Sequence, residues 1–194
     1  PKPDESPPLV PYPHCSWKWT DGRVELPPIR IPAAEATQGM ALLPATEAFD
    51  MGGATETLRY LAPLHARRVP AFYLDTSEVT VGTYVRVHGK TRPTPGCCDA
   101  IPADDHAMIC VTWDRAAAFA ELAGKRLPTE AEFEYAATNG GQRKDVSSVE
   151  GRWTCGPVGG DFGDRCDLDP QQPVFGLFSN AAEWTASRFS LYPA

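Results

Sequence analysis

Apolar residues in the first half of the chain come in short runs of the length of β-strands. Leu42 and Leu43 form one such run, and residues 49–52 form a second. Along residues 69–74 both alternating faces carry apolar side chains, which is typical of a strand buried on both sides. The pattern therefore predicts three short strands between residues 42 and 74.

Two segments in the middle of the chain have the periodicity of amphipathic helices. The first follows Thr80 and stops at Gly89, and the second follows Thr112. A threonine at such a position can accept a hydrogen bond from a backbone amide of the first helical turn, so both threonines are predicted N-caps. The predicted inner faces recur three and four positions apart, and they consist of Val81, Tyr84, Val85 and His88 in the first helix and Ala116, Phe119, Ala120 and Ala123 in the second.

The run Gly-Lys-Arg-Leu-Pro-Thr-Glu-Ala-Glu-Phe-Glu-Tyr-Ala-Ala at residues 124–137 predicts the end of one helix and the start of the next. Gly124 has no Cβ and adopts the left-handed conformation of a helix C-terminus at little cost. Thr129 and Glu132 have the spacing of a capping box, in which each side chain accepts from the backbone amide of the other. We therefore expect the second helix to end before Gly124 and a third helix to begin after Thr129.

The first 36 residues have a different composition from the rest of the chain. They are crowded with prolines, which remove backbone donors and favour extended geometry. Trp17 and Trp19 indicate that part of this segment packs on the domain, the alternative being a free surface for a partner. We therefore expect a proline-rich arm or linker at residues 1–36 and one domain at residues 37–194.

Charge and hydropathy exclude several classes of partner. The formal net charge is −7, and no block of lysine or arginine is present. Nucleic acid is therefore not expected as a partner. Membrane insertion by this chain is not expected either, because no apolar run has the length that a bilayer requires. The chain begins at Pro1 without an initiator methionine, which predicts a mature, trimmed or excised fragment.

The six cysteines are an even number and lie mostly in predicted loops. None of their spacings matches the paired Cys-x-x-Cys units of a structural zinc site. We therefore expect disulfides and an exported protein that is secreted or periplasmic/extracellular. The expected pairs are Cys155 with Cys166, Cys110 with either Cys97 or Cys98, and Cys15 with whichever of those two is left.

An acidic series precedes the C-terminal motif of the chain and is a candidate calcium site. It consists of four aspartates in a glycine-containing loop, followed by an asparagine and a glutamate. Clustered carboxylates, an amide oxygen and backbone carbonyls are the ligands that calcium prefers. The alternative is an exposed acidic turn, since no EF-hand-like spacing is present. The candidate ligands are Asn180, Glu183, Asp161, Asp164, Asp167 and Asp169.

Several short motifs occur in an order that resembles the formylglycine-generating enzyme family, also called sulfatase-modifying factors. The resemblance covers residues 37–184 and implies an α+β, C-type-lectin-like fold that is rich in loops, with its C-terminal part missing from this chain. Several motifs in the right order are more specific than any single one. They are Asp75 with Glu-Val-Thr at 78–80, Val-Thr-Trp-Asp at 111–114, residues 126–137, Gly-Leu-Phe at 176–178 and Asn-Ala-Ala-Glu-Trp-Thr at 180–185.

The resemblance also implies what chemistry to look for. In that family two cysteines after the Trp-Thr motif bind copper and convert a substrate cysteine to formylglycine. Here the motif is Trp184-Thr185 and the sequence ends at Ala194, so the copper-binding pair has no counterpart. Cys97 and Cys98 precede the 126–137 signature and are in the wrong place to substitute. Copper is therefore expected only if a C-terminal segment is supplied, whereas the family's calcium is expected near Asn180 and Glu183.

These observations predict an exported domain of the formylglycine-generating-enzyme type that lacks the catalytic cysteine pair in this chain. Its expected role is that of a binding or accessory module for a protein, peptide or carbohydrate ligand. One alternative is a copper-dependent oxidase that is restored by a C-terminal segment or a partner chain. Another is the extracellular sensor domain of a membrane or kinase protein.

Overall fold

The computed structural model divides the chain into two units, residues 1–38 and residues 39–194. In the first unit, β1 (Lys18–Thr20) pairs antiparallel with β2 (Arg23–Glu25), and a short 3-10 helix spans Ala34–Thr37. The proposed docking of the proline-rich arm stays a prediction. The residues that the structure describes are 18–20, 23–25, 34–53, 64–89, 103–143, 156–159 and 165–190.

Two antiparallel strand pairs open the second unit. The strand β3 (Met40–Leu43) pairs with β6 (Phe72–Asp75), and β4 (Thr46–Met51) pairs with β5 (His65–Val69). The predicted strand at residues 42–43 lies within β3, and the one predicted at residues 49–52 overlaps the second half of β4. The unit is thus α+β with small antiparallel sheets.

The prediction of one continuous strand at residues 69–74 is wrong. The chain leaves β5 at Val69, and β6 starts only at Phe72. Pro70 and Ala71 separate the two strands, and Pro70 interrupts the pairing because it has no backbone N–H to donate to a ladder. The new strand is also not buried on both faces, since Phe72 is buried while Tyr73 is 39% exposed.

The core lies between the strands and the third helix. Its strand residues alternate along each strand, as expected for sheets that bury one face. Close packing in this core is illustrated by Phe49 and Tyr135, whose rings meet edge to face with centroids 5.3 Å apart. The core cluster comprises Ala41, Leu43, Phe49, Met51, Val69, Phe72, Tyr135, Ala136, Ala137, Cys166, Val174 and Leu177.

All three predicted helices are confirmed. They are α1 (Val81–His88), α2 (Trp113–Leu122) and α3 (Glu130–Ala137). Each begins after a threonine whose side chain accepts a hydrogen bond from the backbone amide three residues later. Within the described ranges, no helix combines the length and apolar character that crossing a bilayer would need.

The junction between α2 and α3 forms as the sequence predicts. Gly124 has φ of 70°. Its amide donates to Glu121 O, and the amide of Lys125 donates to Ala120 O. These are the two hydrogen bonds of a Schellman motif. Five residues later, Thr129 and Glu132 make both bonds of the capping box. Both ends of this loop are therefore determined by residues close to one another in the chain.

Helices α1 and α2 pack through a stacked aromatic pair. The rings of Tyr84 and Phe119 have centroids 5.2 Å apart and are inclined by 20°. The hydroxyl of Tyr84 is buried and has no hydrogen-bond partner among the described residues. Burial raises the pKa of this phenol, and the nearby Arg115 partly opposes the effect. The hydroxyl therefore carries a desolvation penalty that no hydrogen bond offsets.

We expect Tyr84→Phe to stabilise the protein by about 1 kcal/mol, because it removes a buried unpaired hydroxyl and keeps the stacked ring. Urea unfolding at neutral pH measures the change. The exposed Tyr73 supplies the control, since Tyr73→Phe should leave the free energy of unfolding unchanged. Destabilisation by Tyr84→Phe alone would mean that the hydroxyl is hydrogen-bonded in solution.

Candidate functional site

The side chain of Asn180 joins three segments that are far apart in the chain. Asn180 is 1% exposed and has φ of 63°. Its Oδ1 accepts from the N–H of Gly156 at 2.7 Å, and its Nδ2 donates to the C=O of Gly156 at 3.3 Å. The same Nδ2 donates to Glu78 Oε1 at 3.0 Å. An asparagine tolerates this left-handed backbone better than most residues, so the amide can be held in place.

Glu78 lies directly over a glycine of the C-terminal segment. A Cβ on Gly176 would stand 2.5 Å from the carboxyl carbon of Glu78, so any larger residue would force that carboxylate to move. The φ of Gly176 is 78°, which also favours glycine. The close approach places the Glu78 carboxylate where it can accept the bond from Asn180.

A second carboxylate belongs to the same neighbourhood. Desolvation, and after it the negative charge of Glu78, raise the pKa of Glu183 to about 7. Glu183 as a residue is nevertheless exposed, so water screens part of this effect. A carboxylate whose pKa is raised by a neighbouring carboxylate favours binding either a proton or a cation.

Two tryptophans fasten the C-terminal segment to the start of α2. The indole Nε1 of Trp113 donates to Thr185 O at 2.8 Å, and that of Trp184 donates to Val111 O at 3.0 Å. Each ring is thus held by the backbone next to the other. Trp113 is 43% exposed and Trp184 is 45% exposed, so both present part of their surface to solvent.

The same segment is tied to the start of α3. The hydroxyl of Thr185 donates to Glu130 Oε2 at 3.1 Å, and the backbone amide of Glu130 donates to Ser187 Oγ at 3.0 Å. The amide of Ala186 donates to Pro128 O at 2.7 Å. The N-termini of two helices and the C-terminal segment therefore form one hydrogen-bonded junction.

Arg126 and Glu132 form the ion pair of the helix junction. Arg126 donates to both carboxylate oxygens of Glu132, at 2.7 and 2.6 Å. The Glu132 side chain is 5% exposed and that of Arg126 is 62% exposed. Burial raises the pKa of Glu132, but the bonds from Arg126 and Thr129 outweigh burial and leave the pKa below its ordinary value. The pair therefore ties the loop before α3 to the first turn of that helix.

Comparison with known families identifies the domain. The family model for the sulfatase-modifying factor enzyme 1-like domain matches residues 29–165, which is more than half of the chain. The chain belongs to this family. The junctions described above therefore show how the motifs of a sulfatase-modifying factor domain are held together in this chain.

Individual relatives support the same family. The formylglycine-generating enzyme of Streptomyces coelicolor is 43% identical over 86 residues, covering 41% of this chain and 27% of that protein. The formylglycine-generating enzyme of Bos taurus is 50% identical over 107 residues, covering 45% of this chain and 29% of that protein. Serine/threonine-protein kinase pkn1 of Chlamydia pneumoniae is 57% identical over 114 residues, covering 45% of this chain and 17% of the kinase. The chain thus spans less than a third of the length of each of these relatives.

Two of the candidate calcium ligands in the sulfatase-modifying factor domain interact with residues close to them in the chain. Asp167 forms an ion pair with Arg165 at 3.0 Å. The Oδ1 of Asp169 accepts from the amide of Gln171 at 3.0 Å, which is a turn within its own loop. Both carboxylates thus have partners within four residues of the chain.

The predicted six-residue ligand set is not assembled among the described residues. Asn180 Oδ1 is engaged with Gly156, and no group of three or more histidine, cysteine, aspartate or glutamate side chains in the described ranges is placed to hold a metal ion. Asp161 and Asp164 lie outside the described residues. Glu78 is the carboxylate whose negative charge raises the pKa of Glu183.

The predicted disulfide between Cys155 and Cys166 is wrong. Cys166 carries a free thiol and is 2% exposed. Its backbone exchanges two hydrogen bonds with Val174, at 2.8 and 3.0 Å, and this bridge turns the side chain into the core cluster. Burial raises the pKa of the thiol. Cys166 therefore serves as a small apolar core residue.

Cys110 is disulfide-bonded, and its φ is 59°. Its partner lies outside the described residues, as do the remaining cysteines of the domain and the arm. Which cysteine pairs with Cys110 therefore stays a prediction. The cysteines outside the described residues are Cys15, Cys97, Cys98 and Cys155.

Proposed function

We propose that this chain is a formylglycine-generating-enzyme-type domain that acts as a binding or accessory module and does not oxidise cysteine by itself. The single observation that carries the proposal concerns its described cysteines. Cys110 is disulfide-bonded, and Cys166 is buried in the core. Copper chemistry on a substrate cysteine requires accessible thiolates, and neither of these residues offers one.

The state of the family motifs also supports a binding role. In this chain Arg126 and Glu130 are occupied by bonds within the domain, and so are Trp113 and Trp184 through their indole nitrogens. These residues hold the fold together and do not converge on a reacting atom. The partly exposed indole surfaces are suited to a protein, peptide or carbohydrate ligand, because aromatic rings supply large contact areas.

We expect no conversion of cysteine to formylglycine when this chain is incubated with a sulfatase-motif peptide, copper and oxygen. The reacting groups must be placed to within a fraction of an ångström, since an error of about 1 Å can lower the rate about a hundredfold. Mass spectrometry of the peptide measures turnover. The Streptomyces coelicolor relative, assayed in parallel, is the positive control.

Turnover by this chain that is lost when Cys97, Cys98, Cys155 or Cys166 is replaced would overturn the proposal. Turnover that arises only when a C-terminal segment or a partner chain is added would support the oxidase alternative. Two relatives are formylglycine-generating enzymes, which favours testing that alternative directly.

The sensor alternative rests on a different relative. A serine/threonine-protein kinase is 57% identical to this chain over 114 residues. A domain of this family thus occurs in a protein named for kinase activity, and this chain is proposed in the second place as the extracellular sensor of such a protein. A transmembrane segment encoded in the same reading frame as the domain would favour the sensor over the accessory module.

Export is proposed on the basis of Cys110. Its disulfide supports an oxidising environment, because cytosolic thiols are kept reduced. A secreted or periplasmic/extracellular location follows from this argument. The buried thiol of Cys166 is compatible with it, since a cysteine inside a core has no access to an oxidant.

Calcium is proposed at a smaller site than the sequence indicates. The carboxylates of Glu78 and Glu183 have the hard oxygen donors that calcium prefers, and a cation between them would relieve their repulsion. The bound ion would supply positive charge and hold the C-terminal segment against the segment that precedes α1. Asn180 contributes by positioning Glu78.

We expect 1 mM calcium to raise the melting temperature at pH 8, because that pH lies above the pKa of Glu183, which is about 7, so this carboxylate is largely ionised without the ion. Differential scanning fluorimetry measures the shift, with magnesium as a control for ionic strength. The rise should disappear in Glu183→Gln. Asp169→Asn is the matched control, since its carboxylate is used within its own loop. A shift that Glu183→Gln leaves intact would place calcium elsewhere.

A further inference from the structure

We draw no further inference here: the strongest candidate, the partly exposed aromatic surface of Trp113 and Trp184 beside the N-terminus of α2, carries none because nothing in the structure shows what covers it.

Discussion

Replacing Gly176 with alanine is expected to destabilise the domain by about 2–5 kcal/mol. Part of the loss comes from a non-glycine residue at a φ of 78°, and part from overpacking against the Glu78 carboxylate, 2.5 Å from the new Cβ. If Glu78 moves away, its bond to Asn180 is lost, and Asn180 in turn holds Gly156. Urea unfolding measures the change in free energy.

Gly124→Ala is the matched control for this experiment. Gly124 has nearly the same φ, 70°, but a Cβ there meets nothing within 4 Å. Only the backbone penalty of about 1 kcal/mol is therefore expected. The double variant Gly176→Ala with Glu78→Ala should recover the part of the loss that is due to the clash. Equal destabilisation by Gly176→Ala and Gly124→Ala would refute the close contact with Glu78.

Glu132→Gln is expected to destabilise the domain by about 2–4 kcal/mol at pH 7, since it removes the charge of the buried carboxylate that pairs with Arg126, although the amide oxygen can still accept the capping-box bond. The loss of stability should be smaller than for a fully buried ion pair, because the side chain of Arg126 is 62% exposed and can be hydrated. Thr129→Ala, which removes only the cap hydroxyl, should be destabilising by about 1 kcal/mol.

The effect of Glu132 should also depend on pH. Its pKa is lowered in the folded protein, so its stabilising contribution is present above its unfolded value of 4.5 and is lost as the pH falls through the folded pKa. The difference in unfolding free energy between wild type and Glu132→Gln should therefore shrink below pH 4.5. The difference for Thr129→Ala should change less. A Glu132 effect that stays constant down to pH 2 would contradict the assigned ion pair.

The helix junction could be predicted from the sequence because its partners are neighbours in the chain. The Thr129 and Glu132 bonds of the capping box span three residues, and the Schellman bonds that follow α2 span at most five. Such bonds depend on local geometry and residue type, and neither changes with the rest of the fold. The same reasoning explains why the three helix starts were predicted at the correct threonines.

Cys166 shows where sequence spacing misleads, and the acidic series shows what spacing leaves open. Aspartates that are close in the chain suggested one ligand set, but Asp167 and Asp169 took partners within a few residues of themselves. Cys166 was expected to pair across a short loop, yet its backbone bridge to Val174 directs the thiol into the core. Spacing reports proximity along the chain and not the direction in which a side chain points.

Sequence reasoning did not assign Gly156, Gly176 or Glu78 to the candidate site. The contact of Glu78 with Asn180 spans 102 residues, and that of Gly156 with Asn180 spans 24. One signal was available, since Glu-Val-Thr at 78–80 and Gly-Leu-Phe at 176–178 belong to the same ordered set of motifs. The order of motifs shows that they are used together but not which atoms meet.

The sequence by itself determined the family and the three helices with their caps, because these depend on motif order and on contacts within a few residues. Only the tertiary structure decided that Glu78, Gly176 and Asn180 meet, that each of the two tryptophans donates to a backbone carbonyl near the other, and that Cys166 is buried. These contacts depend on how segments pack after the chain has turned several times, and packing is a property of the whole core.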